Sequence, residues 1–236
     1  MRKNGQEAKT LEIIARIHTD FPTKFGIPRQ SGLTDALEAR IVMEQGFRDA
    51  NCLRGIEGWS HLWLLWQFDK TVDEGWSPTV LPPKLGGKTR IGVFATRSPF
   101  RPNAIGLSCV KLLRVEWQTG EGPVLVVSGA DMVDGTPIFD IKPYVPYADC
   151  HPEAVDAFAE SRKAEPLQVV LPEKWAAMLP HEKIDGLRQA LSLNPRPGYQ
   201  HDPNRRYGFN FAGFDVRFSI DGDILTVVEL VRLPKE

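Results

Sequence analysis

The stretch FATRSPFRPNAIGLS, residues 94 to 108, carries the densest recognition chemistry in the chain. Arg97 and Arg101 lie four apart, but Pro99 and Pro102 exclude a continuous helix through both, since proline lacks an N–H and clashes with the preceding turn. A stiff loop entering a strand at Ile105 is expected instead. A guanidinium offers several donors in a fixed fork, suited to carboxylates and phosphates. Asn103 both donates and accepts, as reading an amide or a base edge requires. The bland alternative is a loop whose arginines are spent on stapling nearby backbone carbonyls.

Two further stretches could hold a small polar ligand. In DMVDGTPIFDIKPY, residues 131 to 144, Asp134-Gly135 makes a turn, and Thr136 beside Pro137 starts the next strand. Such a turn sets backbone amides beside a carboxylate, a fit for the polar ends of a zwitterion, although an ordinary hairpin turn reads the same. FGIPRQSGL, residues 25 to 33, is a loop with Gly26, Pro28 and Gly32, either a lid or a plain connection.

Common catalytic signatures are missing. Leu85-Gly86-Gly87-Lys88-Thr89 ends like a phosphate-binding loop, but Pro82 stands where the first glycine belongs and no clear strand precedes it. No GxGxxG follows a strand, which removes a Rossmann dinucleotide site. The histidines His18, His61, His151, His181 and His201 lack metal-ligand spacing, so no metal is expected. Gly58-Trp59-Ser60-His61 lacks the second glycine of a nucleophile elbow.

The elements that must position these residues are mostly strands. Leu11–His18, Ala39–Met43, the aromatic run His61–Phe68, Ile91–Ala95, Ile105–Glu116, Val124–Ala130 and Ile138–Ile141 read as strands. Phe47–Ile56 looks helical, with Phe47, Ala50, Leu53 and Ile56 three apart, and Gly75–Lys88 is a Pro- and Gly-rich loop. Closely spaced strands with turns between them predict a sheet or barrel. After Asp149 the pattern changes. Helices are expected over Pro152–Lys163 and His181–Leu193, then a hairpin over Phe209–Leu233 around Asp221-Gly222. The fold expected is mainly β (α+β): a barrel domain over residues 8–160 and a small α+β domain over 161–236.

The chain has 236 residues, a formal net charge of −1 and three scattered cysteines, Cys52, Cys109 and Cys150. An odd cysteine count without a framework suits a reducing cytoplasm. No apolar run reaches the roughly 20 residues of a membrane span. The neutral total argues against a nucleic-acid binder, but its distribution does not. Gly75–Val115 contains no Asp or Glu while holding Lys84, Lys88, Arg90, Arg97, Arg101, Lys111 and Arg114. Arg188, Arg196, Arg205, Arg206 and Arg217 form a second basic zone, and chance clustering on a solvated surface is the rival to a polyanion footprint.

Several segments together resemble the tRNA adenine methyltransferases that act beside the anticodon, on N(6) of threonylcarbamoyl-adenosine at position 37. They are FGIPRQSGL, GIEGWSHLWLLW, PPKLGGKTRIGVFATRSPFRPNAIGLS, DMVDGTPIFDIKPYVPYAD, LNPRPGYQ and RRYGFNFAGFDVRF, spread from about Ile13 to Leu233. Ala104 departs from the pattern, which has a second proline there. The resemblance implies a single-sheeted β-barrel enzyme dependent on S-adenosyl-L-methionine, working as a homodimer on tRNA. It implies a cofactor site from Gln30, Ser31, Gly32, Phe68, Asp69, Lys70, Arg97, Arg101, Asp131, Val133, Asp134, Gly135 and Thr136. Catalytic roles fall to Arg101 and Asn103, and tRNA contact to Arg196, Arg205, Arg206 and Tyr207. Tyr199 and Phe209 are further stacking candidates, though for Phe209 and Phe211 a core position is preferred. A non-catalytic ligand- or RNA-binding barrel, or a methyltransferase with another substrate, are the competing readings.

Overall fold

Alternation of side chains across a strand sets the architecture. In the computed structural model, which describes residues 10–82, 89–155, 166–196, 202 and 205–234, the run His61–Gln67 is a strand with Leu62, Leu64 and Trp66 turned inward. Its other face, His61, Trp63, Leu65 and Gln67, is half-buried rather than enclosed. Along the chain the first strands are β1 (Ala15–His18), β2 (Glu38–Met43), β3 (His61–Gln67), β4 (Thr79–Val80), β5 (Ile91–Gly92), β6 (Ile105–Glu116), β7 (Val124–Ser128) and β8 (Thr136–Pro143).

Six of them close into a barrel in the order β1-β2-β7-β6-β3-β8, every neighbouring pair antiparallel. Closure leaves no open sheet edge, and the interior is filled by Ile17, Ile41, Leu62, Leu64, Leu125, Met132 and Ile138. β4 and β5 pair apart from the barrel.

Beyond the barrel come α1 (Pro146–Asp149), β9 (Gln168–Val170), α2 (Glu173–Ala176), α3 (His181–Ser192), β10 (Tyr207–Phe211), β11 (Phe214–Asp221) and β12 (Ile224–Arg232). The C-terminal sheet runs β10-β11-β12-β9, with β9 parallel to β12. Its core is aromatic: Phe209, Phe211, Phe214 and Phe218 are buried with Leu187 and Leu191 of α3. The molecule is thus mainly β, a closed barrel with a small sheet-and-helix unit.

Several elements differ from the sequence expectations. Phe47–Ile56 is not an α-helix but 3₁₀ turns at Gln45–Phe47, Ala50–Leu53 and Ile56–Gly58, and the spacing of three is the 3₁₀ repeat. β1 starts at Ala15 rather than Leu11. Ile91–Ala95 splits into β5 and a 3₁₀ turn at Val93–Ala95. β7 stops at Ser128 because Gly129 takes a positive φ of 81°. The C-terminal hairpin has an extra strand, turned at Ala212-Gly213, where Ala212 adopts a φ of 49° that is rare without glycine. Pro152–Val155 is turn and coil, while the rest of the expected helix over Pro152–Lys163 and the boundary near residue 160 lie outside the described residues. So do Lys84, Lys88, Tyr199 and most of the loop that resembles a phosphate-binding one.

Candidate cofactor cleft

At one end of the barrel, the end of β3 lies beside the start of β6, joined by Gln67 opposite Ile105 and by Phe68 N–H donating to the Ala104 carbonyl at 2.8 Å. The position expected to hold proline is therefore fixed through its carbonyl, a group that proline would also supply. Gly106 lets the Trp66 indole lie flat on β6, for a Cβ there would overlap that ring. Trp66 and Phe68 meet edge to face, centroids 4.3 Å apart.

A cleft of about 650 Å³ opens at this end. It is lined by the aromatics Trp63, Trp66 and Phe68 and, from the loop before β6, by Thr96, Arg97, Arg101, Pro102 and Asn103. That loop is self-braced. Arg101 N–H donates to the Pro99 carbonyl at 2.8 Å, and the Arg101 guanidinium donates to the carbonyls of Thr96 (3.2 Å) and Ser98 (3.4 Å). Stapling and cleft-lining are therefore combined in one residue. Asn103 is exposed at the mouth.

The third wall is the segment between β1 and β2. Gln30 accepts a hydrogen bond from Arg97, and Ser31 Oγ accepts from Cys109 N–H at 3.2 Å. Gly32 N–H donates to the Gly129 carbonyl at 2.9 Å, and both glycines have positive φ. A Cβ on Gly129 would sit 3.2 Å from Gly32, a tight contact, and the positive φ of Gly129 strains any other residue there.

Asp131 supplies the cleft's carboxylate. Burial holds its pKa above the usual range, partly opposed by a hydrogen bond from Ser108 Oγ at 2.6 Å, by backbone amides and by the Arg97 charge. Ser108 in turn accepts from Trp66 Nε1 at 2.9 Å. Burial also pushes the Cys109 thiol up, so it stays protonated near neutrality and is a poor nucleophile. Arg29, Arg97 and Arg101 all line the cleft, and none forms an ion pair among the described residues. The cleft thus carries an excess of positive charge with one carboxylate inside it.

The structure gathers Gln30, Ser31, Phe68, Arg97, Arg101, Asn103 and Asp131 from the residues singled out in the sequence. Other members of that set do not line the cleft. Gly32 serves the backbone approach just described, and Asp69 and Lys70 pair with each other at 3.1 Å. The turn Val133–Thr136 is consumed in fastening the end of β1. Asp134 Oδ1 accepts from Thr19 N–H at 3.0 Å and meets His18 Nδ1 at 3.2 Å, Gly135 N–H donates to Ile17, and Thr136 Oγ1 donates to Val133. Tyr207 is buried, stacked on Phe218 at 5.6 Å with Arg205 over its ring, so it offers no free face. Arg205 and Arg206 are exposed. Arg29, Trp63, Trp66, Ser108 and Cys109 were not anticipated as site residues. For Ser108 the signal is its inward parity on β6 between Gly106 and Val110, which buries a polar group.

The match to known proteins follows this division. Residues 16–150 match the model of the tRNA-methyltransferase O N-terminal domain, and residues 164–233 match the TrmO C-terminal domain. The chain belongs to the tRNA-methyltransferase O family. The family's "tRNA (adenine(37)-N6)-methyltransferase" of Escherichia coli K12 is 39% identical over 224 residues, covering 87% of this chain and 95% of that one. A "putative S-adenosylmethionine-dependent methyltransferase" of Pseudomonas aeruginosa is 39% identical over 214 residues, covering 87% and 90%. A crystal structure of TrmO from P. aeruginosa superposes with a TM-score of 0.77 at 32% identity, covering 98% of this chain and all of that one. Among the described residues no cluster of His, Cys, Asp or Glu is arranged for a metal ion, and no helix is long and apolar enough to cross a membrane.

Proposed function

We propose that this chain methylates N(6) of adenine 37 in tRNA, on the threonylcarbamoyl-adenosine form of that base, using S-adenosylmethionine. The relatives' names support the tRNA reaction and the donor. The observation that carries the reading here is the cleft's own make-up: an aromatic lining, one buried carboxylate and three arginines that form no ion pair among the described residues. These groups fit the donor's adenine, positive charge and carboxylate respectively. When bound, S-adenosylmethionine supplies an electrophilic methyl group.

The protein's task is then to orient the acceptor, exclude water and manage charge. An adenine amine shares its lone pair with the ring, and a carbonyl on the same nitrogen makes its remaining proton easier to remove. A cation near that nitrogen stabilises the anion left behind. Arg101, rigidly braced at the cleft wall, is assigned to the substrate carboxylate or to this charge, and exposed Asn103 to an edge of the substrate. Arg97 and Gln30, bonded together, and Ser31 are assigned to the cofactor.

Arg196, Arg205 and Arg206 are assigned to the tRNA backbone; Tyr207 supports Arg205 from within. The same reading makes the protein a cytoplasmic homodimer. Phe94 and Leu107, 77% and 55% exposed at the cleft mouth, form an apolar lip of the kind partner surfaces cover.

The test uses tRNA from a strain lacking the activity, incubated with purified protein and S-adenosylmethionine, then digested for nucleoside mass spectrometry. One added methyl on threonylcarbamoyl-adenosine is expected, and none with Arg101→Ala, whose unfolding temperature stays near that of the parent. Methylation of another nucleoside, or full activity in the variant, contradicts the assignment. Cofactor binding without any methyl transfer would favour a non-catalytic barrel.

A further inference from the structure

Ser108 is fully buried on the inner side of β6, yet both of its hydrogen bonds run one way. Its hydroxyl donates to Asp131 Oδ1 at 2.6 Å, leaving only lone pairs for Trp66 Nε1, which donates to it at 2.9 Å. An indole N–H can only donate and an ionised carboxylate can only accept, so the sequence Trp66 to Ser108 to Asp131 has a fixed direction. In a low-dielectric wall such a chain is polarised along its length. Among the described residues, the backbone amides of Ser31 and of Asp131 itself also favour the charged form of Asp131, with the Arg97 guanidinium acting through space. Burial works against them all by favouring the neutral acid, which has little attraction for a cation.

We propose that Ser108, backed by Trp66, is a positioning residue that keeps the Asp131 carboxylate ionised and aimed into the cleft to receive the positive charge of the cofactor. This rests on the cleft being the S-adenosylmethionine site. Gly106 belongs to the device, because only a residue without Cβ lets the indole reach Ser108 across the strand pair.

The test follows the Asp131 carboxyl carbon by NMR through a pH series, without cofactor, in the parent, Ser108→Ala and Trp66→Phe. The titration midpoint rises in Ser108→Ala and rises less in Trp66→Phe. Calorimetry with S-adenosylmethionine then shows weaker binding in the same order, and the deficit of Ser108→Ala shrinks as pH is raised because ionisation is recovered. A packing role gives a deficit that does not change with pH. An unmoved midpoint in Ser108→Ala overturns the proposal, whatever the cofactor does. Should that variant fail to fold, an unmoved midpoint in Trp66→Phe overturns it. A shifted midpoint with no cofactor affinity in the parent overturns instead the assignment of the cleft, and with it the purpose given to the relay.

Discussion

Asp131 is kept in the barrel wall against the preference of a carboxylate for water. Its folded pKa lies above its unfolded value. Between the two, the folded protein holds the extra proton, so stability falls as pH rises through that window. Asp131→Asn removes this dependence. The variant's unfolding temperature, relative to the parent, is expected to climb as pH rises from the ordinary aspartate value of about 4 through the raised value of the folded state, while cofactor affinity is lost. Thermal denaturation across that pH range checks it, and an offset that stays constant with pH contradicts it. The arginine loop could be foreseen at this scale because Pro99 and Pro102 leave Arg97 and Arg101 few other arrangements. The Asp131–Ser108 hydrogen bond could not, since it joins residues on separate segments whose pairing no local pattern specifies.

Among the elements, α3 decides where the third cleft wall stands. The segment between β1 and β2 forms no strand of its own, and α3 grips it along its length. Lys183 pairs with Asp20 at 2.7 Å, Leu37 packs on Gly186, and Gln189 accepts from the amides of Asp35 (2.9 Å) and Ala36 (3.2 Å). Just past the helix, the carbonyls of Asn194 and Arg196 accept from Arg29 at 3.4 and 3.3 Å, where a cation also suits the helix dipole. Gln189→Ala removes the partner of these solvent-accessible amides, at a cost of about 0.5–1.5 kcal/mol. Lower stability in chemical denaturation is expected together with weaker S-adenosylmethionine binding, because Gln30 and Ser31 lose their backing. Unchanged cofactor affinity in a destabilised variant contradicts the coupling. The helix itself was expected over His181–Leu193, ending before Pro195, and it runs over His181–Ser192. Its use as a clamp was not, because the hydrogen bonds of Gln189 join residues 153 and 154 positions apart.

At the scale of the molecule, a net charge of −1 hides a sorted surface. Arg114 sits between Glu38 and Glu116, and Arg217 between Asp215 and Glu229, so those cations are neutralised. The cleft arginines form no ion pair among the described residues, and Arg206 is exposed. A tRNA footprint on them requires affinity to fall steeply with salt, and Arg206→Ala to flatten the log–log slope by about 0.7–0.9 for each phosphate the variant no longer neutralises. Filter binding over a salt series measures it, and a slope unaltered in the variant removes Arg206 from the footprint. Composition could suggest two basic zones but not which arginines were already paired. Closely spaced strands with turns between them made a sheet or barrel foreseeable, whereas the closing order depends on pairings between distant strands.

The cofactor cleft is the claim on which the enzymatic reading stands. Calorimetric titration of S-adenosylmethionine into the purified chain, the Arg97→Ala variant and the Asp131→Ala variant addresses it directly. Saturable one-site binding in the parent, sharply weakened in both variants while their folds persist, is the predicted result. Undiminished affinity in both variants would place the cofactor elsewhere and contradict the account.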